Sequence, residues 1–484
     1  MTDISPIKIS LAVSFANVRS KNDSSAYCSK QRFGVGMTQA IGDVTSSLKV
    51  PPAGVVRQLV ALLSLWVLSA ITPAQAVIEI EVTKGGFNAI PIAITPFISD
   101  TGQAPADIAG VINADLARSG LFDPLGQSSM PERPVPGARP RYNLWQRAGV
   151  DYLVVGSTRV SGANFTVEFQ LFDPVRQKLL TGFSYSVPQQ SLRAVSHQIA
   201  DVIFEEVTGI RGAFNTEIAY VTQSGTRSKP QYQLQLADAD GKNPQSMLTS
   251  PRPILSPAWS PDATQLAYVS FEDRTSSAIY IQNRVTGKRR KVISRKGING
   301  APSWSPDGSR LAIVLSYQGN PDVYVIDIAT TQARQITKNR AIDTEPDWLD
   351  NNTLVFTSDR SGGPQIYKVS AGGGRAERMT FEGNYNASPS VAPDGSGIAM
   401  VHSEGGQFRI GLLELASGDF RVLSTGNLDE SPSYAPNSQM ILFATKRNGQ
   451  QTLGAVSLDG EVEQSFVLGT SDVREPTWSP YPDR

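Results

Sequence analysis

The chain of 484 residues contains very little of the chemistry that metal centres and nucleophilic dyads require. It has one cysteine, Cys28, and two histidines, His197 and His402. This shortage excludes a zinc cluster of cysteines and histidines, a disulfide framework and the usual cysteine–histidine catalytic pair. An excess of positive charge is also lacking, because Lys+Arg and Asp+Glu are 44 each. The chain is therefore not expected to bind nucleic acid, a metal or a cofactor.

The N-terminal region carries only a short apolar segment. Residues 59–71 are thirteen uncharged, mostly apolar residues that follow Arg57 and precede the sequence Ala74-Gln75-Ala76. A basic flank, a short apolar run and small residues at the −3 and −1 positions predict a secretory signal peptide that is cleaved after Ala76. A membrane anchor is the alternative, but thirteen residues are too few to span about 30 Å of hydrocarbon. The mature chain is expected to begin at Val77.

Residues 1–55 are too long and too polar to be the ordinary basic start of a signal peptide. They show no clear periodicity. A start site placed too early in the gene would explain them, with Met37 or Val56 as the true first residue. In either case residues 1–76 are not expected to belong to the folded protein.

From about residue 215 the sequence repeats a motif of the type Trp-Ser-Pro-Asp-Gly. The first proline of each copy falls at positions 257, 302, 346, 389, 432 and 476, in steps of 45, 44, 43, 43 and 44 residues. Each of the first five copies is followed by short, mostly apolar segments that are typical of strands. A period in the low forties with several short strands per repeat predicts a β-propeller.

The two ends of the repeat array complement each other. Residues 217–222 match the second strand of a repeat but have no Trp motif before them, whereas the last motif, at Trp478, has no second strand after it. The segments near 217–222, 231–236 and 245–249 are therefore expected to complete the blade whose inner strand is 474–479. This pairing would close a ring of six blades and leave no open sheet edge.

Residues 77–211 do not repeat and mix two kinds of periodicity. Residues 165–171 alternate apolar and polar side chains, which predicts a half-buried strand. Residues 105–119 and 191–209 carry apolar side chains at helical spacing, with a glycine at or just past the end. The predicted organisation is a small α+β domain over 77–211 and a six-bladed β-propeller over 212–484, in a mainly β protein.

This order of segments resembles the TolB family of the Tol–Pal system. The resemblance covers residues 77–484. It depends on the junction Thr208-Gly209-Ile210-Arg211-Gly212-Ala213-Phe214, on the segments 299–302, 344–346 and 429–432, and on the end of the chain just after Trp478-Ser479-Pro480. It implies a periplasmic, monomeric, non-enzymatic scaffold that binds the lipoprotein Pal and the protein TolA and supports outer-membrane integrity and invagination at division. It also implies contacts with imported bacteriocins and with other outer-membrane or periplasmic proteins.

Enzymes and small-ligand binders also contain propellers. Some serine peptidases carry a similar propeller, but beside a hydrolase domain with a G-x-S-x-G motif, which does not occur in this sequence. A propeller lyase would need a metal held by several histidines, and the propeller contains only His402. No catalytic residue is therefore expected. A periplasmic propeller that holds a small ligand in its channel stays open as the alternative.

The residues just before each Trp motif are expected to line the mouth of the propeller channel. This set is mostly polar and mixed in charge, and it comprises Asn299, Thr344, Glu345, Asn386, Asp429, Glu430, Arg474 and Glu475. A hydrated rim without a partner is the plainer interpretation. The resemblance implies that these positions bind Pal, with Thr344 and Glu345 at a family position for that contact. The family often has histidine where this chain has Ile298, so the partner surface is expected to differ there.

The start of the mature chain alternates apolar and acidic side chains. This segment, followed by Lys84-Gly85-Gly86, consists of Val77, Ile78, Glu79, Ile80, Glu81, Val82 and Thr83. The alternation predicts a strand with one apolar and one acidic face, and the glycines would let it pivot. It could be an ordinary edge strand of the small domain or a detachable strand. The resemblance implies that it contacts TolA.

Overall fold

A computed structural model describes residues 80–84, 89–100, 106–273, 276–447, 449–466, 468 and 471–482. The predicted signal region with Ala74 and Ala76, and the predicted TolA-contacting residues Val77, Ile78 and Glu79, lie outside these described residues. Within them, no helix combines the length and the apolar character that crossing a membrane requires.

The segment before the propeller contains both strands and helices. Its strands are β1 (Ile80–Lys84), β2 (Ile90–Ile94), β3 (Ile98–Ser99), β4 (Phe122–Pro124), β5 (Tyr152–Ser161), β6 (Asn164–Asp173) and β7 (Lys178–Pro188). Its helices are α1 (Ile108–Arg118), α2 (Tyr142–Arg147) and α3 (Leu192–Thr208), with short 3-10 turns at Gln127–Ser129 and Gln189–Ser191. Strands β2 to β7 form one sheet in the order β4-β2-β5-β6-β7, and β3 also pairs with β5.

Helices cover both faces of this sheet. The apolar stripes of α1 and α3, including Ile112 and Ile199, pack on one face against side chains such as Phe169. Trp145 of α2 is fully buried on the other face. Gly209, with a φ of 74°, ends α3 in the left-handed conformation that glycine adopts without a steric penalty. The two helices that apolar spacing predicts are α1 and α3, and the α+β character is confirmed.

The rest of the chain forms six four-stranded blades, which confirms the predicted six-bladed β-propeller. Blade 6 contains β8 (Glu217–Thr226), β9 (Lys229–Asp238) and β10 (Gln245–Ser250). Blade 1 is β11 (Ile254–Trp259), β12 (Gln265–Ser270), β13 (Ala278–Asn283) and β14 (Arg289–Ile293). Blade 2 is β15 (Asn299–Trp304), β16 (Arg310–Leu315), β17 (Asp322–Asp327) and β18 (Ala333–Gln335). Blade 3 is β19 (Asp343–Asp350), β20 (Thr353–Ser358), β21 (Gln365–Ser370) and β22 (Glu377–Arg378).

The remaining strands form blades 4 and 5 and the innermost strand of blade 6. Blade 4 is β23 (Tyr385–Val391), β24 (Gly397–Glu404), β25 (Gln407–Glu414) and β26 (Phe420–Val422). Blade 5 is β27 (Glu430–Tyr434), β28 (Met440–Arg447), β29 (Gln450–Ser457) and β30 (Glu463–Phe466), and the final strand is β31 (Asp472–Trp478). Apolar side chains between neighbouring blades form the separate cores of the ring, as expected when sheets pack face to face.

The last strand of the chain closes the ring. Strand β31 pairs antiparallel with β8, with Trp478 opposite Ile218, so the sheet order of blade 6 is β10-β9-β8-β31. Neighbouring inner strands contact each other all the way round, including β11 with β31. The blade is thus built from both ends of the propeller sequence, in the arrangement that the incomplete first and last repeats predict.

Strand β1 adds a fifth strand to blade 5. It pairs antiparallel with β30, with Ile80 opposite Phe466, and the register shifts between Val82 and Lys84. It is absent from the described sheet of the α+β domain, whose order begins at β4. The interpretation that this segment is an edge strand of the small domain is therefore wrong, because its backbone partners belong to the propeller.

A buried ionic cluster joins the α+β domain to blade 6. His197 Nδ1 lies 2.6 Å from Asp115 Oδ2, and Arg193 donates to Asp238, the last residue of β9, and to Asp240 just beyond it. Burial opposes the charged form of the imidazole, but the hydrogen bond to Asp115 and the carboxylate of Asp238, 3.8 Å from Nε2, outweigh it and raise the pKa of His197 to about 9. The imidazolium is thus a fixed cation between carboxylates of both domains at neutral pH.

Candidate partner-binding site at the propeller channel

A β-bulge interrupts each of the six inner strands directly before the first proline of its motif. The residue before that proline has a positive φ of 46° to 54° in every blade, and these residues are Ser256, Ala301, Glu345, Ser388, Ser431 and Glu475. Such a conformation is uncommon for residues other than glycine and costs roughly 1–3 kcal/mol at each position. Because the inner strands surround the propeller axis, these residues form a ring about the channel, here called the bulge ring.

Two members of the bulge ring are carboxylates that tie neighbouring blades together. Glu345 Oε2 accepts hydrogen bonds from the backbone N–H of Ser388, at 2.9 Å, and from the hydroxyl of Thr357, at 3.0 Å. Glu475 accepts from the backbone N–H of Ser256. Glu345 thus links blade 3 to blade 4, and Glu475 links blade 6 to blade 1 on the opposite side of the ring.

Burial controls the ionisation of these carboxyls. It raises the pKa of Glu475 to about 7, against the opposing effects of the Ser256 hydrogen bond and the charge of Arg474. Burial likewise raises the pKa of Glu345. The pKa of Glu430 is raised by burial and by the nearby charges of Glu345 and Asp429, while Arg474 lowers it. Burial therefore favours the neutral form of these three carboxyls, and for Glu475 it brings the loss of the proton close to neutral pH.

Four of the eight predicted rim residues are partly exposed. They are Glu345, Glu430, Arg474 and Glu475. Arg474 Nε donates to Gln451 at 2.9 Å, so one part of its guanidinium is fixed while its side chain stays 40% exposed. A surface with carboxylates and a guanidinium in close proximity can pair with a partner that presents charges of both signs. These four residues are here called the accessible rim.

The other four predicted rim residues are buried, which corrects the expectation that they line the open mouth. They are Asn299, Thr344, Asn386 and Asp429, each at most 2% exposed. Three of them occupy the same motif position, three residues before the proline, and each fixes a loop. Asn299 bonds the backbone of Arg295, Asn386 bonds Gln365 and Glu382, and Asp429 accepts from Ser424 and Thr445. Their side chains support the rim from beneath and do not form its surface.

Sequence reasoning missed Asp347, which connects three blades. Its carboxylate accepts from the hydroxyl of Ser303 in blade 2, at 2.7 Å, and from the backbone N–H of Val391 in blade 4, at 2.8 Å. Burial raises its pKa. The signal was present in the repeats, because the other five motifs carry alanine, serine or threonine at this position.

The raised pKa of Glu475 predicts a pH dependence of stability. The ordinary pKa of 4.5 rises to about 7 on folding, so the folded state holds a proton that the unfolded state gives up between these pH values. The contribution of this group therefore falls as the pH rises from about 4.5 to 7. Glu475→Gln keeps an acceptor for Ser256 without the charge. We expect this variant to gain free energy of unfolding over the parent at pH 8 but not at pH 4.5, as measured by urea denaturation.

The matched control is Glu377→Gln, which removes a charge from an exposed outer strand of blade 3. This control should show no gain at pH 8. An equal gain in both variants would mean that total charge, and not the environment of Glu475, determines the effect.

The fold and the rim define a class of protein: a six-bladed propeller that carries a small α+β domain at its N-terminal side and a partly exposed, mixed-charge rim at its channel. Two family models match this chain, the TolB amino-terminal domain over residues 78–180 and the TolB beta propeller domain over residues 204–482. The chain belongs to the TolB family.

The similarity extends over both domains of the curated relatives. The chain is 46% identical over 432 residues to the Tol-Pal system protein TolB of Xanthomonas campestris pv. campestris (strain B100), covering 88% of this chain and 98% of that protein. It is 48% identical over 425 residues to the protein of that name in Xylella fastidiosa (strain M12), covering 86% and 96%. The crystal structure of TolB from Acinetobacter baumannii matches with a TM-score of 0.77 and 38% identity, over 84% of this chain and all of that one.

Proposed function

We propose that this chain is a non-enzymatic periplasmic scaffold of the Tol–Pal system. In this proposal it binds the lipoprotein Pal at the accessible rim and TolA through its N-terminal strand. It thereby supports outer-membrane integrity and invagination at division. The observation that carries the proposal is the extent of the match, because nearly the whole length of relatives named for the Tol–Pal system is shared at 46–48% identity.

The accessible rim supports a protein partner at the channel. Its side chains come from inner strands of three blades, so a single loop of a partner that enters the channel can contact several of them at once. Glu345 and Glu475 each already accept a backbone N–H of the next blade, which holds their carboxylates in place before a partner arrives. Such preorganisation reduces the entropy that binding loses.

The position of β1 supports a second partner. Among the described strands, β1 pairs with β30 alone, through Ile80–Lys84. A strand that is held along one edge by a few backbone pairs can detach at low free energy and then add to a sheet edge of another protein. In this proposal TolA binds the released strand.

The direct test of the Pal site is Glu345→Ala with purified Pal, measured by calorimetry. The change removes a carboxylate and leaves the Ser388 N–H and the Thr357 hydroxyl without their shared acceptor. We expect binding to weaken by ~1–3 kcal/mol, or roughly 5- to 150-fold in Kd. Glu345→Gln, which retains an acceptor oxygen, should lose less.

The control in the same blade is Glu377→Ala on the exposed outer strand, where the side chain pairs only with Lys368 at 3.2 Å. Its Pal affinity should equal that of the parent. Unchanged affinity in Glu345→Ala, with the melting temperature intact, would remove this residue from the proposed site.

The wider test is a pull-down of residues 77–484 from periplasm, followed by identification of the captured molecules. Recovery of a lipoprotein and of an inner-membrane Tol protein is expected. Recovery of a metabolite without either protein would favour a small-ligand-binding propeller and reject the scaffold.

A further inference from the structure

A cavity of about 320 Å³ lies where the α+β domain meets the propeller, and none of the accessible-rim residues lines it. Its apolar walls come from the two domains and the junction between them, and they include Leu121, Phe204, Phe214, Met440, Phe466 and Trp478. An apolar cavity of about 150 Å³ already holds a benzene molecule, and natural ligand sites of about 300 Å³ or more favour domain interfaces. The volume and the place are thus those of a small-molecule site.

The walls are built of aromatic rings in fixed orientations. Phe204 and Phe214 meet edge to face with ring centroids 5.5 Å apart, and the guanidinium of Arg118 lies 5.3 Å from the ring of Phe214. The indole N–H of Trp478 donates to Thr216 at 2.8 Å, which fixes that ring too. Rigid aromatic faces favour a flat ligand that stacks or packs edge-on.

The charged groups of the lining are already paired. Arg118 lies 3.0 Å from Asp115, and Arg421 lies 2.7 Å from Glu414. The carboxylate of Asp459 accepts from Ser457 and from the backbone N–H of Glu461. These partners leave no lining charge of the three free to pair with a ligand. A charged ligand would therefore lose its hydration without gaining a counter-ion, which costs free energy.

We propose that this interdomain cavity binds a neutral, mainly apolar aromatic compound of about the size of indole or naphthalene. The site is distinct from the channel and from the proposed Pal contact, and two of its lining residues, Gln464 and Phe466, lie on β30, the strand that pairs with β1. Its ligand would contact α3, the junction and blade 5 together.

Indole is the probe that tests the proposal, and the methyl group of Met440 is the reporter. In the full chain labelled with [methyl-¹³C]methionine, the Met440 signal is assigned by its loss in Met440→Leu. A bound indole ring should shift this signal saturably through its ring current. The signals of Met379 and Met400, which do not line the cavity, should stay in place. If the Met440 signal does not shift at any indole concentration in the titration, the proposal is overturned.

The repeats supply a matched pair of variants. Ala435 lines the cavity in blade 5 and Ala392 occupies the same motif position in blade 4, and each backbone N–H closes the same kind of turn, to Met440 and to Gly397. Ala435→Leu should fill part of the cavity and weaken indole binding at least tenfold, whereas Ala392→Leu should leave it unchanged. Equal indole affinity in the two folded variants would reject the cavity as the site.

Two further measurements keep the test decisive. If Ala435→Leu does not fold, Leu458→Phe fills the cavity from another wall and should cause the same loss of binding. Indole-3-acetate, which adds a carboxylate to the same ring system, should bind at least tenfold more weakly than indole. Equal binding of the two compounds would refute the neutral ligand class.

Discussion

Deletion of residues 474–484 is expected to make the protein aggregate. The deletion removes most of β31, which pairs with β8 along Asp472–Trp478 and closes the ring. It also removes the hydroxyl of Ser479 that accepts from the backbone N–H of Glu217, at 3.0 Å, and the carbonyl of Thr477 that accepts from the indole of Trp259. Strand β8 would then lose most of its partner between Ile218 and Gln223, and such exposed edges pair with other chains unless closure protects them.

Light scattering and size-exclusion chromatography measure this outcome, with thermal unfolding as the stability readout. The control is deletion of residues 483–484 alone, which leaves every described strand in place and should stay monomeric. A monomeric 474–484 deletion that melts at the parental temperature would contradict closure by a shared blade.

Deletion of residues 77–83 is expected to abolish TolA binding while Pal binding stays within a few-fold. The deletion removes most of β1 but none of the accessible rim. Holding this strand against β30 requires ordering of its backbone at ~1–2 kcal/mol per residue, and its backbone pairs are few and interrupted by a register shift. The proposed detachment requires docking and release to be close in free energy.

The two affinities must be coupled in a defined way if Pal influences the docking of β1. Whatever factor Pal applies to TolA affinity, TolA applies to Pal affinity. Calorimetry of both partners, alone and in the presence of the other, measures the factor in each direction. Retained TolA binding in the deletion would contradict the proposed contact, and a lowered melting temperature beside it would reassign the strand to a structural role.

The architecture could be predicted because its signals are local and repeated. Every motif carries a proline in its inner strand, two of the six add Pro-Asp-Gly where a tight turn requires it, at 306–308 and 393–395, and the period counts the blades. The pairing of β8 with β31 could be predicted because the repeat array begins with an incomplete copy near Glu217 and ends with another near Trp478. The two long helices followed from apolar spacing and from the glycines at their ends.

The details of the site could not be predicted because they depend on packing between blades. The residue before a proline usually avoids helical φ and ψ values, so nothing local indicates the left-handed conformation of Glu345 or Glu475. The burial of Asn299, Asn386 and Asp429 could not be predicted. A polar residue in such a motif can fix a buried loop or face water, and the sequence does not distinguish the two. The alternation in the first strand predicted β1, but its partner β30 lies at the other end of the chain.

The distance along the chain between β1 and β30 also determines the order in which the protein can assemble. Ile80 meets Phe466, so this contact must wait until almost the entire polypeptide has been synthesised, and it closes nearly the longest loop that the chain permits. Blades 1 to 4 can form their own hairpins before that moment, since their strands are neighbours in sequence. Blade 5 needs β30 itself, and blade 6 needs β31, which follows β30 in the chain. The α+β domain and blades 1 to 4 can thus fold before the first strand finds its place. In a cell, a newly made molecule would pass through a stage in which these parts exist and its N-terminal strand is still free.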